Sequence, residues 1–398
     1  MEKGAIFVDS DGFFWPDDMS DDYMSAERDG ISFDGEDQPE ERLFEQYYLG
    51  FRSSIFFVEG KLSDSEFQKI SREFREGCAV SALQYTYKHL HSKSTLPVDY
   101  MWFLRYIIVN QLKNDYPEVK KIKIKLNMKP RIVAKTIDNN TIGFPALLRT
   151  VINQCNLVII NSVYETVDSE KNLSEKLYSG NVSQQSFSGI DRSLIARGVL
   201  PYLAFCHDDF SVQNLPMVGA YSEEAIMTTF QFINLQMLFI LAHEYAHILL
   251  GHYNKRVSVT GSSIEMECEA DRFALDVLMK YIKMDDTYSY TDVFTSIRWL
   301  FKFQLIEEYV GSLIRNDNMI FYESAYEERR SRFQSELIHK YEVRKTSLLD
   351  QVGFVAIAKL QSVLFENGTT VVNRMINAIN KSTITGGVEP WWEIIPNK

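Results

Sequence analysis

Hydrophobic and polar positions change period along the chain. From Ser63 to His91 apolar residues (Phe67, Ile70, Phe74, Val80, Leu83) recur at helical spacing, and Pro97 opens a second helical run through Leu112. At Val119 the period becomes two. Lys121, Lys123 and Lys125 alternate with Ile122, Ile124 and Leu126, which predicts a half-buried strand with Arg131–Ile137 as its neighbour. Pro145–Cys155 predicts a helix, Leu157–Tyr164 a further strand and Val199–Phe205 a short one. Asp168–Ser193, rich in Ser, Asn and Gln, predicts a long surface loop. From Ser222 the pattern is helical almost to the end, with helices over about 223–250 and 263–283. The tail from Gly386 reads as irregular, with Trp391 and Trp392 folded onto the body.

The class this implies is α+β. A mixed sheet from strands within 118–205 packs on the helix at 223–250, and helices before 117 and after 290 extend the body. The segments divide into an acidic arm (1–45), a helical region (46–117), a sheet-bearing domain (118–288), a helical region (289–385) and a tail (386–398).

Charge sharpens this picture. The net charge is -12, and residues 1–50 hold 15 Asp/Glu against 3 Lys/Arg. The body is therefore neutral, which argues against a basic nucleic-acid binder; no nucleic-acid partner is expected. The Lys121/Lys123/Lys125 row could face an anionic partner, but such a row is more often the solvated face of an edge strand, where lysine also blocks unwanted pairing, and that is the expectation.

The four cysteines (Cys78, Cys155, Cys206, Cys268) form no CxxC and no disulfide framework, so a reducing compartment is expected. With no signal pattern at the N-terminus and no uninterrupted apolar span, the expected location is the cytoplasm, without membrane insertion.

The segment that carries chemistry is Leu241-Ala-His-Glu-Tyr-Ala-His-Ile-Leu-Leu-Gly-His252. His243 and His247 are one helical turn apart, about 400° round, so both imidazoles leave one face. That spacing lets two nitrogens reach one tetrahedral zinc at about 2.0–2.1 Å. Glu244 lies about 100° further round. It is placed to stand beside a metal-bound water, take its proton and pass it to a leaving amine. Burying two His and a Glu in an apolar helix without a partner is costly, which favours the metal. Glu223 and Glu224 suit the helix start, and Gly251 suits a left-handed C-terminal cap. His252 falls after that cap, where it is expected to pack at the helix end or bond nearby carbonyls rather than touch metal.

The downstream helix opens at Ser262 with Glu265 as a capping box and reads Glu265-Met-Glu-Cys-Glu-Ala-Asp-Arg-Phe-Ala-Leu. Glu267 can be the third ligand. It is preferred to Glu265 and Glu269 because it shares a face with Asp271, which can accept a hydrogen bond from a ligating imidazole and fix its tautomer. Ala270 and Ala274 would let the two helices approach closely.

His243-Glu244-x-x-His247 followed by Glu267-x-x-Ala270-Asp271-x-Phe273-Ala274 resembles the gluzincin metallopeptidases, in particular the M48 and ImmA/IrrE types. The HExxH segment is also similar to that of the Lit-type phage-exclusion proteases. The resemblance covers residues 241–278. It implies a zincin-like domain over 118–288 and one Zn2+ held by His243, His247 and Glu267. Glu244 is then the catalytic base, and Asp271 supports the ligands.

Other motifs carry less. Asp9-Ser-Asp-Gly12 is similar to the start of haloacid-dehalogenase phosphatases, but Phe13 stands where Thr or Val is usual, and it makes a poor calcium loop. A strand ending in a turn is the simpler reading. Cys206-His207 is a sequence neighbour pair and not thereby a thiol dyad. His207, Tyr288 and Arg298 are guesses for an oxyanion helper.

The expected function is zinc-dependent hydrolysis of a peptide bond in a specific intracellular protein, as a regulatory or defence protease. An edge strand within 156–205 is expected to pair with the extended substrate. The alternative is a zinc-stabilised regulatory or protein-binding module without turnover.

Overall fold

The structure, a computed structural model, describes residues 6–8, 13–16, 104–105, 107–127, 132–145, 148–169, 190–207, 215, 218, 221–253, 263–283, 288–316, 323–341, 347–385 and 390–395. The helix expected at 63–91, most of the acidic arm, Ser262 and most of the loop expected at 168–193 lie outside these residues. Among the described residues helices predominate beside a small mixed sheet, which is α+β in class.

The chain divides into two compact units. The first comprises residues 1–129, 134–147 and 240–261; the second comprises 130–133, 148–239 and 262–398.

The sheet belongs to the first unit. It contains β3 (Lys123–Asn127), β5 (Thr141–Pro145) and β4 (Lys135–Asp138); β1 (Ile6–Val8) and β2 (Phe13–Pro16) extend it beyond β3, giving the order β1-β2-β3-β5-β4. β3 and β5 run parallel, with Ile124 opposite Ile142, while β4 runs antiparallel to β5. The β4–β5 connection is tight, because the Asp138 carboxylate accepts from the Asn140 N–H at 2.8 Å. Among the described residues β4 pairs with β5 alone and stands at the end of the strand order. The alternation read from the sequence holds over 121–124, where Ile122 and Ile124 are buried while Lys121 and Lys123 are exposed, but β3 pairs with both β2 and β5 and is not the edge strand expected there, and β4 lies beside β5 rather than β3. A short 3-10 helix, Pro117–Lys121, precedes β3. Residues 107–112 are helical and bury Ile107, Ile108 and Leu112.

The second unit is helical. It contains α1 (Leu148–Ser169), α2 (Arg192–Phe205), α4 (Ser263–Ile282), α5 (Tyr290–Arg315), α6 (Glu323–Tyr341) and α7 (Leu348–Thr385). It also holds residues 223–239 of α3 (Glu223–Leu249), whose remaining residues belong to the first unit.

Two strand expectations are corrected here. Leu157–Tyr164 lies inside α1, and Val199–Phe205 lies inside α2. Both runs are short and apolar, and such runs do not distinguish a buried helix from a strand by periodicity. Residues 157–160 and 199–205 are buried throughout, so no polar face marks a period. The edge strand expected within 156–205 is therefore absent among the described residues.

Local chemistry explains the helix ends. The Asp191 carboxylate caps α2 by accepting from Ser193 and Leu194 N–H groups. Ser289 and Asp292 form a reciprocal capping box on α5, and Asn316 closes it in the left-handed conformation at φ 53. The core centres on α5, which buries Trp299, Phe301 and Phe303. Gly353 of α7 admits the Trp299 ring; a Cβ there would stand 1.9 Å from Cζ2. The tail is more ordered than expected: residues 391–394 form a 3-10 helix that buries Trp391, and the Arg197 guanidinium lies 4.9 Å from the Trp392 ring centroid.

By length and composition two helices could cross a membrane, Glu224–Leu249 and Leu348–Lys381. The first is a core helix by its burial, 83% of its apolar window lying inside the protein, against 44% for the second.

Candidate metal centre

α3 carries His243, Glu244 and His247. The Ser222 hydroxyl caps it by accepting from the Ala225 N–H at 3.2 Å. Gly251 ends it at φ 69, with nothing near a hypothetical Cβ, so the backbone angle rather than crowding calls for glycine.

On this helix the Nε2 atoms of His243 and His247 are 3.0 Å apart, and both rings are buried. Two nitrogens bound to one tetrahedral zinc at 2.0–2.1 Å stand about 3.3 Å apart, so the pair already has the span of a chelate. His243, His247 and Glu267 form a group that can hold a metal ion: one ligand atom from each lies within 4.8 Å of the others. Two imidazole nitrogens and one carboxylate oxygen are a donor set that suits zinc with a fourth position left for water or substrate. Among the described residues this is the one such group.

Glu267 is the α4 carboxylate in that group. Its rivals are occupied or exposed: Glu265 is exposed and takes two bonds from Arg332, at 2.9 and 3.0 Å, and Glu269 is exposed. Cys268 is next in sequence, but burial, then the Asp271 carboxylate, pushes its thiol pKa up; the thiolate that would compete for metal is disfavoured.

Glu244 is buried beside the pair. The Thr136 hydroxyl, from β4, donates to Glu244 Oε2 at 2.9 Å and stands 3.3 Å from its carbonyl oxygen. No described residue hydrogen-bonds Oε1. The carboxylate is thereby held from one side, through Oε2. The next residue, Tyr245, is fully buried, and that burial raises its phenol pKa against the opposing effect of Arg105. Arg105 is anchored in turn, donating to the Lys120 carbonyl at 2.7 Å.

Two partners are not evident from the sequence. His252 is completely buried, and its Nδ1 is 2.9 Å from Nδ1 of His247. The turn at Gly251 folds it back under the last turn of α3. The second is Arg329 of α6, which donates to both carboxylate oxygens of Asp271 at 2.8 Å. Asp271 shares the Glu267 face of α4, as its spacing requires, and its carboxylate accepts from Arg329.

The three residues guessed as oxyanion helpers each have another engagement. His207 Nε2 is 2.8 Å from Glu307 Oε1, Tyr288 accepts from Asn234 at 3.3 Å, and Arg298 donates to Asp350 at 2.8 Å.

No family model, no curated protein and no solved structure matches this chain.

Proposed function

We propose that this chain is a zinc metallopeptidase of the zincin type, hydrolysing a peptide bond in a specific protein inside the cell. The observation that supports it most is the convergence of His243, His247 and Glu267, with Glu244 beside them. These three residues would hold one Zn2+. Bound there, zinc supplies a Lewis acid that polarises the scissile carbonyl and brings a water's pKa towards neutrality.

The chain's own residues do the rest. Glu244 takes the water's proton on its unengaged oxygen and delivers it to the leaving amine. Thr136 keeps the carboxylate from rotating away. β4, which supplies Thr136, is the terminal strand of the sheet among the described residues, and an extended substrate can add to it as a further strand. This replaces the segment 156–205 as the substrate strand. Cys155, Cys206 and Cys268 are buried and form no disulfide among the described residues. A regulatory or defence role rests on the resemblance to the gluzincins alone.

Glu244→Gln tests the reading. It keeps the helix and the metal ligands but removes the base. Loss of peptide hydrolysis with zinc retained supports the protease. A biological effect that survives the substitution favours the zinc-stabilised module without turnover.

A further inference from the structure

We infer that Arg329 is a positioning residue of this metal centre: it holds the carboxylate of Glu267 in place for the ion, acting from a helix whose sequence gives no hint of the role. The inference rests on the metallopeptidase reading and adds a residue to it.

Glu267 and Asp271 stand one turn apart on the same face of α4. Two like charges at that spacing repel, and Asp271 is only 3% exposed, so its charge needs a partner. Arg329 provides one. Its Nε and Nη2 donate to Oδ2 and Oδ1 of Asp271, both at 2.8 Å, the two-pronged geometry that fixes a guanidinium plane. With two nitrogens so fixed, the third, Nη1, faces Glu267 and lies 3.8 Å from Oε2. The other side of the guanidinium is supported by the buried ring of Phe301, whose centroid is 5.3 Å away. Arg329 is thus held from two directions and presents its remaining charge to the ligand carboxylate. Lysine, a single point charge on a flexible stem, would not reproduce this arrangement.

The helix that brings Arg329 is built for the purpose. α6 is polar, and among its described side chains only Phe333 and Leu337 are buried apolar groups. It is tied to α4 by ion pairs along its length: Arg332 to Glu265 at 2.9 Å, Arg272 to Glu336 at 3.6 Å and Lys340 to Asp276 at 2.6 Å. These three are surface pairs. Arg329–Asp271 is the buried member of the row and the one that reaches a metal ligand.

The test measures zinc affinity of the full-length chain by competition with a chelating dye, with folding followed by circular dichroism. Wild type is compared with Arg329→Ala, Arg329→Lys and Arg332→Ala. Loss of a residue that orients a metal ligand typically weakens binding 10- to 100-fold. Arg329→Ala is expected to fall in that range and Arg332→Ala to stay within about twofold of wild type. If Arg329→Ala does not fold, Arg329→Lys carries the test, with a smaller but clear weakening expected. Arg329 variants that fold and bind zinc as tightly as Arg332→Ala overturn the inference and leave the metallopeptidase reading intact. A wild-type chain that binds no zinc overturns both. A double-substitution cycle with Asp271→Asn adds a readout that mere stability would not move. The two losses should overlap rather than add, since Asp271 acts by holding Arg329.

Discussion

His247 and His252 face each other through their Nδ1 atoms at 2.9 Å, in a pocket where both rings are buried. One nitrogen must carry the hydrogen and the other accept it. For His247 to ligate through Nε2, its Nδ1 must be the donor, so His252 accepts at Nδ1 and carries its own hydrogen on Nε2. With the hydrogen so placed, His252 would hold His247 in the tautomer that a metal ligand needs. His252→Ala should weaken zinc binding by about tenfold while leaving one site per chain. Chelator competition on the folded variant checks this, and unchanged affinity would count against the tautomer argument.

Thr136 and Glu244 make a second relationship with a separable outcome. Thr136→Val keeps the shape and β-branching of the strand residue but removes the donor to Oε2. Zinc affinity should hold while turnover falls by about tenfold, because the base, not the ligand set, is loosened. Metal content and peptide hydrolysis on one preparation separate the two. Loss of zinc from this variant would mean that Thr136 supports the ligands instead.

Packing predicts a stability effect far from the chemistry. Gly353→Ala drives a methyl into the Trp299 ring, which is buried with no room to retreat. Overpacking of this kind costs about 1–3 kcal/mol. Denaturant unfolding should reveal a lower midpoint with zinc stoichiometry unchanged.

The Arg298–Asp350 pair predicts a pH dependence of stability. Asp350 is wholly buried, and that burial raises its carboxyl pKa, with Arg298 at 2.8 Å opposing the rise. Because the folded state holds the proton more tightly than the unfolded one, this contribution is fully present below the ordinary carboxylate range. It is lost as pH climbs through that range towards the raised value. The stability of wild type relative to Asp350→Asn should therefore decline with rising pH over this window. Melting temperatures of the two proteins in a buffer series measure it; parallel curves would contradict it.

The candidate site was legible where helical periodicity and spacing decide the matter. His243, Glu244 and His247 declare themselves by their spacing, and Glu267 with Asp271 by sharing a face one turn apart. What the sequence could not convey lies in contacts between distant segments. Arg329 is 58 residues from Asp271, in a charged stretch that reads as a solvated face. Thr136 is 108 residues from Glu244. His252 is near in sequence, but only the left-handed turn at Gly251 aims it back at His247. The helical segments 157–160 and 199–205 are ambiguous in the sequence for a different reason. Their all-round burial erases the polar face that would have revealed a period of 3.6.

The most direct test of the account is the metal content of the purified full-length protein, wild type beside Glu267→Ala. The account predicts close to one zinc per wild-type chain and a clear loss in the variant, with both folded by circular dichroism. Wild type free of zinc after metal-replete purification, or a variant that retains it fully, would contradict the three-residue centre.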